Sequence, residues 1–264
     1  MSLTLDDFLD QELQDSFKGL VDTHKSLAAT VKKVLNSAAV GELESLTQAL
    51  ERYQELLMRQ NEWVRQLKES APAFNVQEYL QEQFHKGFLE ALAEEELPVE
   101  ANYPVYEIFP FKVRVVPEQG LVKINDKIKR TLRPKALARY LKQEIRRLNS
   151  LPFNGPRFLH ALARAYDTKI HILTVTHKIE LNEQEVLLKE IYNLLTPLPH
   201  QKKEYPLQMF AFDLHRLLKD NCTLTGDGRR LWIGNVRKNQ QAMLILNAQG
   251  VPQRYGVIKF FREV

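Results

Sequence analysis

The stretch YPVYEIFPFKVRVV, residues 103–116, divides the sequence into two parts of different character. It alternates and is rich in aromatic and β-branched residues, which is typical of β-strands. PEQG and then LVKIN follow it, so the pattern predicts a β-hairpin. Pro110 has no N–H to donate to a strand ladder, and we therefore expect it at a sheet edge or at a bulge. Because helical patterns precede this stretch, the sequence predicts an α+β protein that changes character near Pro98.

Residues 1–97 have the spacing of amphipathic helices. Apolar residues recur at intervals of three, four or seven over residues 9–35 and 43–67, and Gly41 between them is a turn residue. We predict an antiparallel helix pair here, followed by a shorter third helix that ends before Pro98. The apolar heptads are not sustained over several repeats, which favours an ordinary helical bundle over a coiled coil. In either form this all-helical region is a predicted docking site for a protein partner or a second copy.

The remainder of the chain is predicted as two further regions. Residues 98–150 form the β-hairpin and a basic amphipathic helix, and residues 151–264 form an α+β domain. A helix is expected over 156–166, a strand over KIHILTVT (169–176), two more helices and then two or three strands. Helix, strand, helix, helix, strand, strand is the element order of a winged-helix module, although the linker between the two central helices is long for that class.

The segment KINDKIKRTLRPKALARYLKQEIRRLN, residues 123–149, contains ten Lys or Arg and two acidic residues. On a helix that begins at Pro134, Leu137, Leu141 and Leu148 share one face. The cations share another face or directly precede the helix, and they form the first candidate nucleic-acid-binding group: Lys127, Lys129, Arg130, Arg133, Lys135, Arg139, Lys142, Arg146 and Arg147. Like charges at this spacing require a counter-charge, which phosphates or the acidic N-terminal region could supply.

A second candidate group lies on a predicted late hairpin and consists of Arg229, Arg230, Arg237 and Lys238. These side chains could follow a phosphate backbone, with Trp232 and Tyr255 as stacking rings. For a Trp on a strand, however, a place in the core is the favoured interpretation. The helix over 206–219 would be the recognition helix of a winged-helix domain. It offers few polar side chains, so we expect binding with weak sequence specificity.

No catalytic or cofactor motif stands out in the sequence. There is no Gly-rich phosphate loop, no Glu is followed two positions later by Lys, and none of the seven histidines has the spacing of metal ligands. We therefore expect no enzyme activity, no bound metal and no cofactor. A nuclease whose carboxylates come from distant positions remains an alternative.

Charge is distributed unevenly along the chain. Residues 1–100 carry nine Lys or Arg against nineteen Asp or Glu, a net charge of −10, and residues 101–264 carry a net charge of +14. Two hypotheses follow: an accessory subunit that binds DNA or RNA through its phosphate backbone, or an assembly subunit whose basic face docks an acidic protein. A single cysteine and the lack of a signal peptide or a long apolar run predict a cytoplasmic protein without membrane association.

Overall fold

The computed structural model describes residues 4–125, 127–177, 184–235, 242–247 and 250–262. Long helices precede antiparallel sheets and further helices, which confirms the α+β class. The chain divides into two compact units. The first contains residues 1–88, 116–120 and 131–134, and the second contains the rest. The boundaries predicted after residues 97 and 150 stay predictions.

The N-terminal region is helical, as predicted. Its helices are α1 (Leu5–Asp7), α2 (Gln14–Val40), α3 (Leu43–Ser70), α4 (Val76–Glu82) and α5 (Phe84–Glu94). Gly41 ends α2 with a left-handed φ of 74°, and its N–H donates to the carbonyl of Ala38. This is a glycine C-cap, because a residue with a Cβ is strained in that conformation. The predicted turn at Gly41 is confirmed, and α2 and α3 pack as an antiparallel hairpin.

The packing seam of this hairpin follows a heptad spacing along both helices. Its buried and half-buried positions are Leu13, Ser16, Leu20, Thr23, Leu27, Thr30, Val34 and Ser37 on the first side, and Leu46, Ala49, Tyr53, Leu56, Gln60, Trp63 and Leu67 on the second. The apolar heptads of α2 are not sustained, as the sequence indicated, but burial follows a heptad spacing that includes polar residues. The repeat is hard to recognise because every second α2 position in the seam is a Ser or Thr.

Gly19 lies beside this seam, where the Trp63 indole occupies the space that a side chain would need. A Cβ at Gly19 would overlap the Trp63 ring. Glycine normally weakens a helix interior, by about 1 kcal/mol relative to alanine. Its presence in the middle of α2 is therefore explained by the close approach of the ring.

We predict that Gly19→Ala destabilises the hairpin although alanine is the better helix former. Overpacking typically costs about 1–3 kcal/mol, which outweighs the gain in helix propensity. In a Trp63→Leu background the same substitution should become stabilising, because the ring no longer occupies the space. Urea unfolding of the four proteins in this double-mutant cycle measures both effects. A Gly19→Ala effect of the same sign in both backgrounds would contradict the steric explanation.

The second unit begins with an antiparallel sheet. Its strands, in spatial order, are β1 (Glu100–Asn102), β2 (Val105–Ile108), β3 (Phe111–Val116), β4 (Leu121–Ile124) and β5 (Lys127–Lys129). Pro110 lies in the turn between β2 and β3. The stretch 103–116 is thus a hairpin by itself, and the expectation that Pro110 occupies a strand edge or bulge was wrong. Since the turn requires no ladder hydrogen bond from residue 110, proline is tolerated there.

Helix α6 (Pro134–Ser150) follows, and then the C-terminal elements. These are α7 (Gly155–His177), β6 (Val186–Leu187), α8 (Leu188–Leu195), α9 (Pro199–Glu204), α10 (Leu207–Lys219), β7 (Arg229–Gly234), β8 (Met243–Leu246), β9 (Pro252–Tyr255) and β10 (Val257–Arg262). The core of the second unit includes α7, α10 and the inner face of the three-stranded sheet β6-β10-β7. Strands β8 and β9 form a separate hairpin.

The strand predicted over 169–176 does not exist, because α7 continues through this segment to His177. The β-branched residues there suggested a strand. Burial, however, follows the helical period, with Ile170 packed against the core while Ile172 and Val175 are exposed. Packing of one helix face therefore overrides the intrinsic β-propensity.

The observed order of elements differs from the predicted one. After α7 come β6, α8, α9 and α10, and then the strands β7, β8, β9 and β10. The antiparallel partners of β10 are β6 and β7. The winged-helix assignment stays a prediction. No helix within the described ranges is both long and apolar enough to cross a membrane.

Candidate nucleic-acid interface

Helix α6 has the two faces that its sequence predicts. Leu137, Leu141 and Leu148 are buried, so the apolar stripe is part of the core. The basic side chains lie on the remaining surface, where Arg139 and Arg146 are exposed and Lys142 is half-buried. The functional question is therefore which groups neutralise these charges.

Glutamates at the end of α5 neutralise much of the basic face. Lys135 Nζ lies 3.0 Å from a carboxylate oxygen of Glu94. Glu95 accepts two cations, with Lys142 Nζ at 3.3 Å and Arg139 Nε at 3.6 Å. Exposed pairs of this kind contribute only about 0–1 kcal/mol each to stability. Their consequence here is electrostatic, because they supply the counter-charge that the basic helix requires.

Two more cations of the first candidate group pair locally. Within the first unit, Arg133 donates to Asp10 at 2.7 Å and lies 3.5 Å from Asp6. The hydrogen bonding that Arg133 donates to Asp10 is the main cause that raises the pKa of Arg133. On α6 itself, Arg147 pairs with Glu144 at 2.8 Å. The acidic N-terminal region, which supplies Asp6, Asp10, Glu94 and Glu95, is therefore the counter-charge for four of the predicted cations.

The other four members of this group form no ion pair with another described side chain. Lys129 Nζ lies 3.8 Å from the centre of the Tyr140 ring, a cation–π contact. Lys127, Arg130 and Arg146 are exposed. Five of the nine predicted residues are thus paired with acidic side chains of the chain itself.

In the second candidate group, Arg229 has a structural role. Its guanidinium forms two hydrogen bonds to Asp167 of α7, at 2.6 and 3.0 Å, and a third to Asp227 at 2.8 Å. The bonds to Asp167 are the main cause that raises the pKa of Arg229. Arg229 thus connects the turn before β7 to α7 through hydrogen bonds. Arg230 is exposed on β7, whereas Arg237 and Lys238 lie outside the described residues.

Helix α10, the predicted recognition helix, is covered by other parts of the second unit. Every residue from Leu207 to Leu218 is buried or half-buried. His215 Nδ1 lies 3.0 Å from the carbonyl oxygen of Leu246 on β8. The guanidinium of Arg216 stacks 4.5 Å from the Phe153 ring. A helix covered in this way offers little surface to a DNA groove, and its polar residues His215 and Arg216 contact the rest of the second unit instead.

The predicted late hairpin was wrong, because β7 pairs with β10 and β8 pairs with β9. Trp232 is an exposed aromatic residue on β7. Its side chain remains 40% exposed, so the preference for a core position was wrong. The indole lies over Gly234 two residues further along β7, where a Cβ would overlap the ring. The glycine therefore lets the ring lie against the strand backbone on the outer face of the sheet.

Three further side chains share this outer face. The register of β7 and β10 places Lys259 opposite Trp232 and Phe261 opposite Arg230. Lys259 Nζ lies 5.8 Å from the Trp232 ring and 5.3 Å from the Phe261 ring, within the range of cation–π attraction. We call Arg230, Trp232, Lys259 and Phe261 the Trp232 face. It combines two rings with two cations on one solvent-facing surface.

Sequence reasoning found two of these four residues and missed Lys259 and Phe261. Both lie in the last strand, GVIKFF, where Ile258 and Phe260 alternate with them and point into the core. That alternation could have placed Lys259 and Phe261 on the outer face. The register with Trp232, by contrast, depends on a strand pairing that the sequence does not specify.

Comparison with protein-family models, with curated proteins and with solved structures found no match to this chain. Within the described ranges, no cluster of three or more His, Cys, Asp and Glu side chains could hold a metal ion.

His215 should make the stability of the second unit depend on pH. Burial is the main cause that lowers its pKa below the usual 6.5, and Lys219 lowers it further, while the Leu246 carbonyl and Asp220 act in the opposite direction. The folded state therefore favours the neutral ring. The stability that the neutral ring contributes is complete above the pKa that His215 has in the unfolded chain. It is lost as the pH falls through the pKa that His215 has in the folded protein.

We expect His215→Gln to lose less stability than the wild type between about pH 7.5 and pH 5, since glutamine does not titrate. Chemical denaturation at a series of pH values gives the difference between the two proteins. Groups common to both proteins cancel in that difference. A difference that stays constant over this pH range would contradict the role of His215.

Proposed function

We propose that this protein is a non-enzymatic accessory subunit that binds DNA or RNA mainly through the phosphate backbone, and that the Trp232 face is its contact surface. The observation that carries the proposal is an exposed indole flanked by Lys259 on a sheet surface. Large rings are usually buried, and an exposed one next to cations is suited to a ligand that offers both a flat apolar surface and negative charge. Nucleic acid offers both.

The chemistry of the Trp232 face favours single strands. Unpaired bases expose their π-faces, and stacking of a base on an aromatic side chain contributes about 1–3 kcal/mol. Lys259 would contact a phosphate next to the stacked base. Stacking tolerates every base, and α10 offers little surface to a groove. Recognition is therefore expected to depend little on sequence.

Two broader features support the same proposal. The net charge of +14 over residues 101–264 attracts a polyanion and accelerates its association. The element order predicted from the sequence is that of a winged-helix-like domain, a class that binds nucleic acid, although α9 and the additional strands depart from it. Because α10 is covered, the contact in this chain would be made from the sheet side. One cysteine in the chain suits a reducing compartment, and we propose the cytoplasm.

The first test is a titration of labelled single-stranded and duplex DNA and RNA followed by fluorescence anisotropy. We expect tighter binding to single strands, and affinity that decreases as salt increases. Trp232→Ala should weaken binding by about 5–150-fold, which corresponds to the loss of one stacked base. Trp232→Phe is the matched control and should retain most of the affinity. Absent or salt-independent binding by the wild type would refute the proposal.

Substitution of the cation on the Trp232 face has a different expected signature. Lys259→Gln removes one phosphate contact without removing a ring. The slope of log affinity against log salt should therefore become shallower by about 0.7 for a single strand. Incubation of each nucleic acid with the protein and Mg²⁺ or Mn²⁺ should leave it intact. Cleavage would support the nuclease alternative.

The basic face of α6 should contribute little to binding, because Arg139 and Lys142 already pair with the carboxylate of Glu95. We expect a variant with Arg139, Lys142 and Arg146 all changed to Gln to keep its affinity within about threefold, and its salt slope within about one unit, of the wild type. The same anisotropy assay measures both values. A slope reduced by about two or more would show that α6 contacts phosphates directly and would move the interface there.

A further inference from the structure

The α2–α3 hairpin has a solvent-exposed apolar surface that its own packing does not cover. On α2 it consists of Phe17, Val21, Val31 and Leu35, all exposed. On α3 it consists of Leu43, Leu50 and Leu57, also exposed. We call these seven residues the hairpin side face. Exposed apolar surface on this scale usually marks an interaction site.

The residues of the hairpin side face form one column along α2 and one column along α3. Both columns lie on the same side of the hairpin. Phe17, Val21, Val31 and Leu35 each follow a seam position of α2 by one residue, and Leu50 and Leu57 do the same on α3. A step of one residue turns a side chain by about 100° around a helix axis. In an antiparallel pair the two helices run in opposite directions, and their seam residues also point in opposite directions, toward each other. The two reversals cancel, so a step of one residue from the seam leads to the same side of the hairpin on both helices. The two columns therefore form one surface two helices wide.

Charged residues are placed away from this surface. Lys18 and Lys32 follow column residues of α2 by one position, and Glu44 and Glu51 do the same on α3. A further step of 100° turns them toward the back of each helix. The positions that complete the two columns between the apolar residues include His24, Ala28 and Thr47, which carry no permanent charge. The hairpin side face is therefore uncharged although residues 1–100 have a net charge of −10.

The size of the surface fits a stable homodimer. From Phe17 to Leu35 the face is about 27 Å long at a rise of about 1.5 Å per residue, and two adjacent helices are about 20 Å wide. The face thus covers about 540 Å² per copy, and two copies together bury about 1,100 Å², slightly more than the roughly 1,000 Å² that a specific interface needs. Two identical uncharged faces meet without like-charge repulsion, and each apolar column finds an apolar column opposite. Two-fold pairing of identical faces is also the commonest symmetry of soluble oligomers.

We infer that a second copy of this chain docks on the hairpin side face, so that two α2–α3 hairpins form an antiparallel four-helix bundle. The inference does not depend on nucleic-acid binding, since none of its residues belongs to the Trp232 face. It specifies the self-association that the helical pattern of residues 1–97 left open.

Sedimentation velocity of the full chain over a range of concentrations tests the inference. The wild type should be a dimer at micromolar concentration. Leu50→Glu, at a position 50% exposed, should be a monomer, because the charge would be buried in the dimer. Met58→Glu is the matched control: Met58 is 62% exposed on the same helix but belongs to the outer side, and this variant should remain a dimer.

A second variant keeps the test decisive. Leu35→Glu changes the other column at a position 63% exposed and should also be a monomer. Circular dichroism should show unchanged helix content in all variants, because each site is exposed in the single chain. A monomeric wild type would overturn the inference. So would glutamate variants of Leu50 and Leu35 that retain their helix content and remain dimeric.

Discussion

The pairing of the basic helix α6 with two glutamates at the end of α5 is the interaction on which the functional interpretation depends. Lys135, Arg139 and Lys142 form a like-charged row that would otherwise repel itself, and Glu94 and Glu95 lie within 3.0–3.6 Å of it. The row is therefore mainly balanced within the chain. Because most of the charge on the basic face is paired within the chain, the proposed contact surface is the smaller Trp232 face, where an exposed indole lies beside a cation.

The features of the fold that follow from short-range pattern could be predicted. Helical periodicity identified the N-terminal helices and the two faces of α6, and strand alternation identified the start of the sheet region. The predictions that were wrong or incomplete concern segments whose structure depends on tertiary packing. Ile170, Ile172 and Val175 have strand propensity but lie on α7, because one face of that helix completes the core. The heptad spacing of the α2–α3 seam was not predicted, because Ser16, Thr23 and Ser37 occupy positions at which an apolar residue is expected.

The candidate site was less predictable because its defining contacts join residues far apart along the chain. Nothing in the sequence indicates that Arg229 reaches Asp167, 62 positions earlier, and so serves the fold instead of a ligand. For Trp232 the prediction was wrong in the other direction, because a residue expected in the core is exposed. Burial of an aromatic residue on a strand depends on which face of the sheet it occupies, and one residue of register reverses that assignment. The register with β10 places it outward, together with Lys259 and Phe261.

The two proposed surfaces have opposite chemistry, and this gives each a separate physical response. Contacts between cations and phosphates weaken steeply with salt because bound counterions are released on association. The hairpin side face is uncharged and apolar, so its self-association should be insensitive to moderate salt and strengthened by salts that favour apolar burial. Under these two proposals, an increase in ionic strength should release nucleic acid while the dimer stays intact. Because the cations of the Trp232 face have no counterpart on the hairpin side face, the proposed assembly and the proposed ligand binding should be separable by salt.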